Sequence, residues 1–403
     1  MKVAVLAEGA GEARVAVVPS SVAELVKAGA EVVVEEGAGL RAGVSDDDYR
    51  EAGATVVADA GAALRGADVL LGVQPPAEGD APGAVDSLPS GLVVVAFLDP
   101  LGKPDRAAAL AKRGVSAFAM ELIPRTTRAQ RMDALSSQAM VGGYKAVLMA
   151  ADALPRLMPM FMTAAGTIRP AKALVLGAGV AGLQAIATAR RLGARVEAFD
   201  VRPAVKEQVE SLGASFLETE HEVTAEGEGG YAKELSEEQH QRELELIAEH
   251  IRDADMVITT AQIPGRPAPL LITEEMVRSM RPGSVIVDMA AISGGNCALS
   301  EAGRTVERHG VTIMGPDNLP STIPVHASQM YAKNAVTFLL EMVQEGKLVV
   351  DLENDVVGPA CLTHGGEVRN DRVRDALGLS PLAPPAPPEE PSASDPEPAE
   401  GAS

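Results

Sequence analysis

Short apolar runs, each closed by a glycine or polar turn and followed by a helical pattern, recur along the chain. Residues 3–7, 31–35, 54–57, 69–73, 92–97 and 115–120 read as buried strands, with helical patterns such as residues 20–28 and 104–113 between them. This alternation predicts a parallel sheet with helices on both faces. A second series of runs, residues 173–176, 196–199, 256–259, 284–288 and 311–314, predicts a second sheet. A long alanine-rich helical pattern beginning at Asp133 joins the two series, and another, residues 329–346, follows the second. The expected fold is α/β, with two Rossmann-like, doubly wound parallel-sheet domains joined by long helices. The expected division is a discontinuous first domain, 1–134 plus 329–378, and a second domain, 135–328, with a ligand in the cleft between them.

The second series opens on a strand, a glycine turn and a helix. Gly177, Gly179 and Gly182 stand at the spacing GxGxxG, and Asp200 ends the next strand. The first glycine permits the tight turn, the second lets backbone approach a pyrophosphate, and the third lets helix pack on strand. Unpaired N–H groups at the helix start suit phosphate. Asp200 is placed to accept from a ribose 2′-OH, which favours NAD(H), while Arg202 nearby offers a 2′-phosphate a partner. A similar pair, Gly9 and Gly11, follows the first strand, but Arg14 stands where the third glycine would, so that turn reads as a plain loop.

Composition narrows the class. A net charge of −21 argues against nucleic acid and against direct adhesion to an anionic membrane. No signal peptide is expected, because the first 20 residues read as a strand and a loop without a long apolar run, and no membrane span, because Arg156, Arg169, Lys145 and Asp152 interrupt the most apolar stretches. The two cysteines, Cys297 and Cys361, fit a reduced, cytosolic protein. Aromatic residues make up only 2% of the chain, so the core must be built from Ala, Val, Leu and Met. Residues 218–253 are strongly acidic and read either as a solvated helix with a loose approach, carrying solvent-facing His240 and His250, or as a lid anchored by Tyr231. From residue 379 the chain is proline-rich and acidic, and a disordered tail is expected there.

The candidate chemistry is sparse. No HExxH, CxxC or GxSxG motif occurs, and no histidine has an acid at metal-ligand spacing, so no metal site is expected. The densest polar patch is residues 125–138, with Arg125, Arg128, Gln130, Asp133, Ser136, Ser137 and Gln138. These residues are either a helix cap with solvated arginines, or a set that lines the cleft and hydrogen-bonds a nicotinamide. Arg, Gln and Ser are poor acids and bases at neutral pH. The patch therefore suits hydride transfer between carbons, where orientation does the work.

With the fingerprint and this patch in view, the chain resembles the NAD(H)-binding subunit (domain I) of proton-translocating nicotinamide nucleotide transhydrogenases over roughly residues 1–378. The resemblance rests on RAQRMDALSSQA, VLGAGVAGLQAIATARRLGARVEAFDVRP, GGYAKE, ITTAQIPGRPAP, VIVDMAAISGGNC and DNLPSTIPVHASQMYAKN. It implies nicotinamide-site roles for Arg125, Gln130, Met132, Asp133 and Ser136, with Gln130 reaching towards NADP(H) on a partner. It implies nucleotide contacts at Gly177, Gly179, Val180, Gly182, Asp200, Val201, Arg202 and Gln262, and a loop at Gly230 and Tyr231 that folds over the nucleotide. It further implies a homodimer docked on membrane-spanning proton-channel subunits and on an NADP(H)-binding domain. Such a subunit sits at the cytoplasmic face of the membrane, with the spans on another polypeptide. The chain departs from the common pattern at Thr126 and Thr127, at Ile292 and Ser293, and at Gln262.

Two other readings stay open. An alanine dehydrogenase shares the fold and the glycine motif, but needs a lysine and a histidine where this chain offers Gln74 and Asp99. A non-catalytic NAD-sensing module would not need the set from Arg125 to Ser136.

Overall fold

A computed structural model describes residues 1–77, 83–218, 236–263 and 265–382. Gly230, Tyr231 and most of the expected tail lie outside the described residues. The strands, in chain order, are β1 (Lys2–Val5), β2 (Glu31–Glu35), β3 (Thr55–Val57), β4 (Val69–Leu71), β5 (Val93–Ala96), β6 (Ser116–Ala119), β7 (Phe161–Thr163), β8 (Gly166–Ile168), β9 (Lys172–Leu176), β10 (Arg195–Phe199), β11 (Ser215–Phe216), β12 (Met256–Thr259), β13 (Val285–Asp288), β14 (Arg304–Arg308), β15 (Val311–Gly315), β16 (Val343–Gln344), β17 (Lys347–Leu348), β18 (Cys361–His364) and β19 (Glu367–Val368). They form an eight-stranded sheet, β19-β18-β6-β5-β4-β1-β2-β3, a seven-stranded sheet, β11-β10-β9-β12-β13-β15-β14, and two small hairpins.

β1 to β6 pair in parallel, as do all neighbours from β11 to β15 in the second sheet's order. Both sheets end in antiparallel strands, β18 and β19 in the first and β14 in the second, so the expected parallel sheets are mostly rather than wholly parallel. The central strands are buried on both faces, which is why they read as continuous apolar runs. β14, with sequence RTVER, lies at an exposed edge, where charged side chains are tolerated and no apolar signature forms.

Two long helices tie the sheets together. The connecting helix, Ala134–Ala153, begins at Asp133, whose side chain accepts from the Ser136 amide as an N-cap. The return helix is Pro324–Glu341, five residues earlier at its start than the expected 329, because Pro324 at the first position fixes φ without losing a helical hydrogen bond. Its Tyr331, Ala335, Val336, Phe338 and Leu339 sit in the first sheet's core beside β1, β4 and β5. Phe338 packs on Phe118 with ring centroids 5.7 Å apart. The connecting helix instead packs in the second core through Ala146, Val147 and Ala150. Among the described residues, no helix is long and apolar enough to cross a membrane.

Candidate nucleotide cleft

In the second sheet, β9 has β10 on one side and β12 on the other, so strand order reverses at β9 and β12. Open parallel sheets form a ligand crevice at such a point. Gly177 follows β9 with φ +96°, and a Cβ there would meet Thr260 Oγ1 at 2.5 Å, so only glycine fits. Thr260, after β12, donates to the Gly177 carbonyl at 3.1 Å and pins the turn across the crevice. The helix Val180–Arg191 then starts at Gly179 with no side chain capping it. A Cβ on Gly179 would meet only Arg202, at 3.8 Å, so packing does not demand this glycine; its bare backbone faces the crevice. These first-turn N–H groups and the missing side chain fit a pyrophosphate.

A cavity of about 990 Å³ runs from this turn to the start of the connecting helix. Arg125, Gln130, Asp133, Ser136, Gly177, Gly179, Val180, Asp200, Val201, Arg202 and Gln262 all line it. Two residues expected at the nucleotide do not. Met132 is 2% exposed and packs in the first core, because it points inward from the 3-10 turn Arg128–Met132. Gly182 lies under the turn, where a Cβ would stand 1.8 Å from the Gly177 carbonyl, so it serves helix–strand packing rather than ligand contact.

The polar patch also divides. Asp133 accepts from Ser136 twice, from N at 2.8 Å and from Oγ at 2.6 Å, so the helix cap and the cavity wall are one feature. Arg128 turns away and pairs with Glu341 and Asp355, fastening the 3-10 turn to the return helix. Ser137 donates to Asn334 at 2.7 Å and Gln138 is 5% exposed, both on the opposite face of the helix.

Asp200 is more heavily engaged than its place at a strand end suggests. It accepts from Ala178 N at 2.7 Å and from Arg202 three times, at 2.9 Å from N, 2.9 Å from Nε and 2.8 Å from Nη2. Four bonds fill the lone-pair sites of the two oxygens. A further donor is therefore accepted only as one of these bonds opens.

His240 and Glu243 line the same end of the cavity. His240, expected to face solvent, is half-buried and pairs with Glu243 at 3.1 Å; His250 likewise pairs with Glu197 at 2.9 Å. Burial pushes the Glu243 carboxyl up, His240 draws it part of the way back, and Asp200 adds to the rise. The helix Glu237–Ile251 turns Ile247 and Ile251 inward, so the acidic segment is amphipathic rather than simply solvated. The spacing of His240, Glu243, Ile247 and Ile251 is the sequence signal that marks this face.

The motif VIVDMAAISGGNC holds the cavity's far wall. Buried Asp288 accepts from Thr259 Oγ1, from the amides of Ala290, Asn296 and Cys297, and from Ser300 Oγ, all within 3.0 Å. Asn296 in turn holds the wall segment through Ala261 N, Ala261 O and Pro269 O. Burial pushes the Cys297 thiol up to about 11 and Cys361 to about 12, so neither is a nucleophile at neutral pH. Among the described residues, no three His, Cys, Asp or Glu side chains gather as a metal site.

Residues 4–142 match the alanine dehydrogenase/PNT N-terminal domain, and residues 146–371 match the C-terminal domain of the same family. The chain belongs to the alanine dehydrogenase/PNT family. Within the family, whose domain of this kind binds NAD(H), it stands with the NAD(P) transhydrogenase alpha subunits. It is 49% identical to the first of the alpha-subunit polypeptides of the NAD(P) transhydrogenase of Rhodospirillum rubrum, over 91% of this chain and 97% of that one. It is 43% identical to the corresponding alpha-subunit polypeptide of Rickettsia prowazekii, over 93% and 98%. A solved transhydrogenase structure from Sinorhizobium meliloti superposes with a TM-score of 0.82 at 49% identity, covering 91% of this chain and all of that one. The alanine dehydrogenase of Bacillus subtilis is more distant, at 28% identity over 91% of this chain and 92% of its own length.

Proposed function

We propose that this chain binds NADH and passes its hydride directly to NADP⁺ held on a partner subunit, within a transhydrogenase that couples the transfer to proton movement across the membrane. One observation carries the reading: a single cavity ends on one side at Asp200 and on the other at Arg125, Gln130, Asp133 and Ser136. Bound NADH supplies the hydride. The turn at Gly177 and Gly179 receives the pyrophosphate, and Asp200 receives the adenosine ribose. Asp133 and Ser136, locked to each other, orient the nicotinamide. Arg125 and Gln130 stand exposed at the rim, where a second nucleotide can approach. By resemblance we assign the cover over the nucleotide to Gly230 and Tyr231.

Where an alanine dehydrogenase needs a lysine and a histidine for its substrate, this chain has Gln74 and Asp99, and both are bonded within the fold. Gln74 donates from Nε2 to Glu12 at 2.9 Å, and Asp99 accepts from Gly102 N at 3.2 Å in its own turn. Neither position supplies the lysine or histidine of imine chemistry. The decisive assay mixes the chain with a transhydrogenase NADP(H)-binding domain, NADH and NADP⁺. Net transfer is expected there, and oxidation of alanine with NAD⁺ in its place would overturn the reading. In the same assay Gln130→Ala is expected to leave NADH affinity within about threefold and to slow transfer at saturation by about ten- to a hundredfold. Lost binding with an unchanged rate would remove Gln130 from between the two rings.

We place the chain as a homodimer at the cytoplasmic face of membrane-spanning partner subunits. The hairpin of β7 and β8 supports the dimer: Leu157, Met160, Phe161, Met162 and Ile168 are all exposed, Met162 by 77%. A projecting apolar group of this size calls for a covering surface. Met162→Asp is expected to shift the sedimentation coefficient from dimer towards monomer; an unshifted dimer would place the interface elsewhere.

A further inference from the structure

The turn after β1 holds a buried ion pair that the nucleotide cleft does not use. Arg14 and Glu12 are 4% and 3% exposed. Arg14 donates to Glu12 from N and Nε at 2.9 and 2.8 Å and from Nη2 at 2.6 Å. Its Nη1 donates to Gln138 Oε1 at 2.8 Å, and Nη2 reaches Asn318 Oδ1 at 3.3 Å. Glu12 Oε2 also accepts from Gln74 and Asn318, each at 2.9 Å. Burial alone would raise the Glu12 carboxyl; the bonds and charge of Arg14, with the two amides, outweigh it and hold the group at about 2. Glu12 therefore stays ionised at any working pH.

These partners come from separate parts of the fold. Gln74 follows β4, Gln138 belongs to the connecting helix, and Asn318 follows β15. The same turn is fastened again where Ala13 N donates to Ser321 Oγ at 2.7 Å and Val15 N to Ser328 Oγ at 3.0 Å. Gln138 lies two residues beyond Ser136 and also donates to the Ala327 carbonyl of the return helix at 3.1 Å. Ser137 and Arg131 are tied to that helix through Asn334, at 2.7 and 2.8 Å. One hub thus joins the first sheet, the second sheet and the starts of both long helices, directly behind the nicotinamide end of the cleft.

A buried ion pair is a weak source of net stability, because desolvation consumes most of its Coulombic gain. What a forked, fully satisfied pair supplies is a fixed geometry. We propose that Glu12 and Arg14 are positioning residues for hydride transfer, acting through Gln138 to set where Asp133 and Ser136 stand relative to the glycine turn. This rests on the hydride-transfer reading above. The hub touches neither Asp200 nor the glycine turn, so it governs the placement of the ring and leaves the hold on the rest of the nucleotide intact.

Arg14→Lys keeps the charge but loses the fork. Gln138→Met keeps the volume, spares the ion pair and cuts the link to the helix, so it tests the idea even where the lysine variant folds poorly. With the full chain, a transhydrogenase NADP(H)-binding domain, NADH and NADP⁺, each variant is expected to bind NADH within about twofold of wild type. Transfer at saturating nucleotide is expected to fall about tenfold or more. The double variant is expected to be no slower than the worse single one, because both changes break one unit. Wild-type rates at saturation in a folded Gln138→Met chain would overturn the proposal, as would a rate loss matched by an equal loss of NADH affinity. A wild-type chain inactive in that mixture would overturn the hydride-transfer reading, and this inference with it.

Discussion

Alanine at position 143 is expected to lower the thermal midpoint of the chain by roughly 3–4 °C, on the order of 3 kcal/mol, while alanine at the adjacent position 142 is expected to be neutral or slightly stabilising. Both glycines lie inside the connecting helix, where glycine costs about 1 kcal/mol relative to alanine, so propensity alone favours both changes. Packing separates them. A Cβ on Gly143 would stand 2.1 Å from the Ala181 carbonyl, a backbone atom in the first turn of the helix Val180–Arg191. A Cβ on Gly142 would meet the Met289 methyl at 3.0 Å, the free end of a flexible side chain that can turn aside. The first change must push two helices apart, and the displaced helix is the one whose N-terminus faces the pyrophosphate position. NADH affinity should therefore fall with stability in Gly143→Ala and hold in Gly142→Ala. Calorimetry and a fluorescence titration of both variants measure this, and equal midpoints would show that the helices do not depend on that close approach.

Asp200→Ala is expected to weaken NADH binding by about tenfold or more and to narrow the preference for NADH over NADPH. The carboxylate serves the Ala178 amide, the Arg202 amide and guanidinium and, in the proposed complex, a ribose hydroxyl. Its loss leaves the buried Ala178 amide without its acceptor and removes a negative charge from beside the position of a 2′-phosphate. The two effects on NADPH oppose each other, since a weaker turn lowers affinity while the loss of a repelling carboxylate raises it. The ratio of the two dissociation constants is therefore the more telling measurement. An unchanged NADH dissociation constant would refute the ribose contact.

The regions of this fold that can be read from sequence are those whose burial is local and complete. Met256–Thr259 appears in sequence as the strand it is, because all four residues are buried and nothing polar interrupts them. The hairpin of β7 and β8 could not be read, because its apolar residues are exposed in the single chain and follow neither a strand nor a helix period. β18 escapes a reading for another reason: this short strand near the end of the first sheet is specified by β6, almost 250 residues earlier in the chain. The candidate cleft divides in the same way. The glycine turn and Asp200 are fixed within one strand–helix–strand unit, and spacing alone brings them together. In residues 125–138 the residue types are legible, but not which of them face the cleft. Arg128, Ser137 and Gln138 are chemically as fit for a nucleotide as Arg125, Gln130 and Ser136, and only the return helix and the β1 turn decide which set is claimed by protein. The Glu12–Arg14 pair looks like a spoiled glycine fingerprint, because its partners at 138 and 318 are remote in sequence.

The threading of the two sheets has a consequence for synthesis on the ribosome. Every strand of the second sheet, through Val311–Gly315, is made before the return helix and before the antiparallel edge of the first sheet at Cys361–His364 and Glu367–Val368. The domain begun first is thus finished last. Until the return helix emerges, the first core lacks Tyr331 and Phe338, and until the final strands follow, β6 waits with an open edge. An unpaired edge beside an unfilled core is the kind of surface on which nascent chains aggregate. The inserted sheet, contiguous in sequence, can close meanwhile and hold the nucleotide turn ready for the rest of the cleft to form around it.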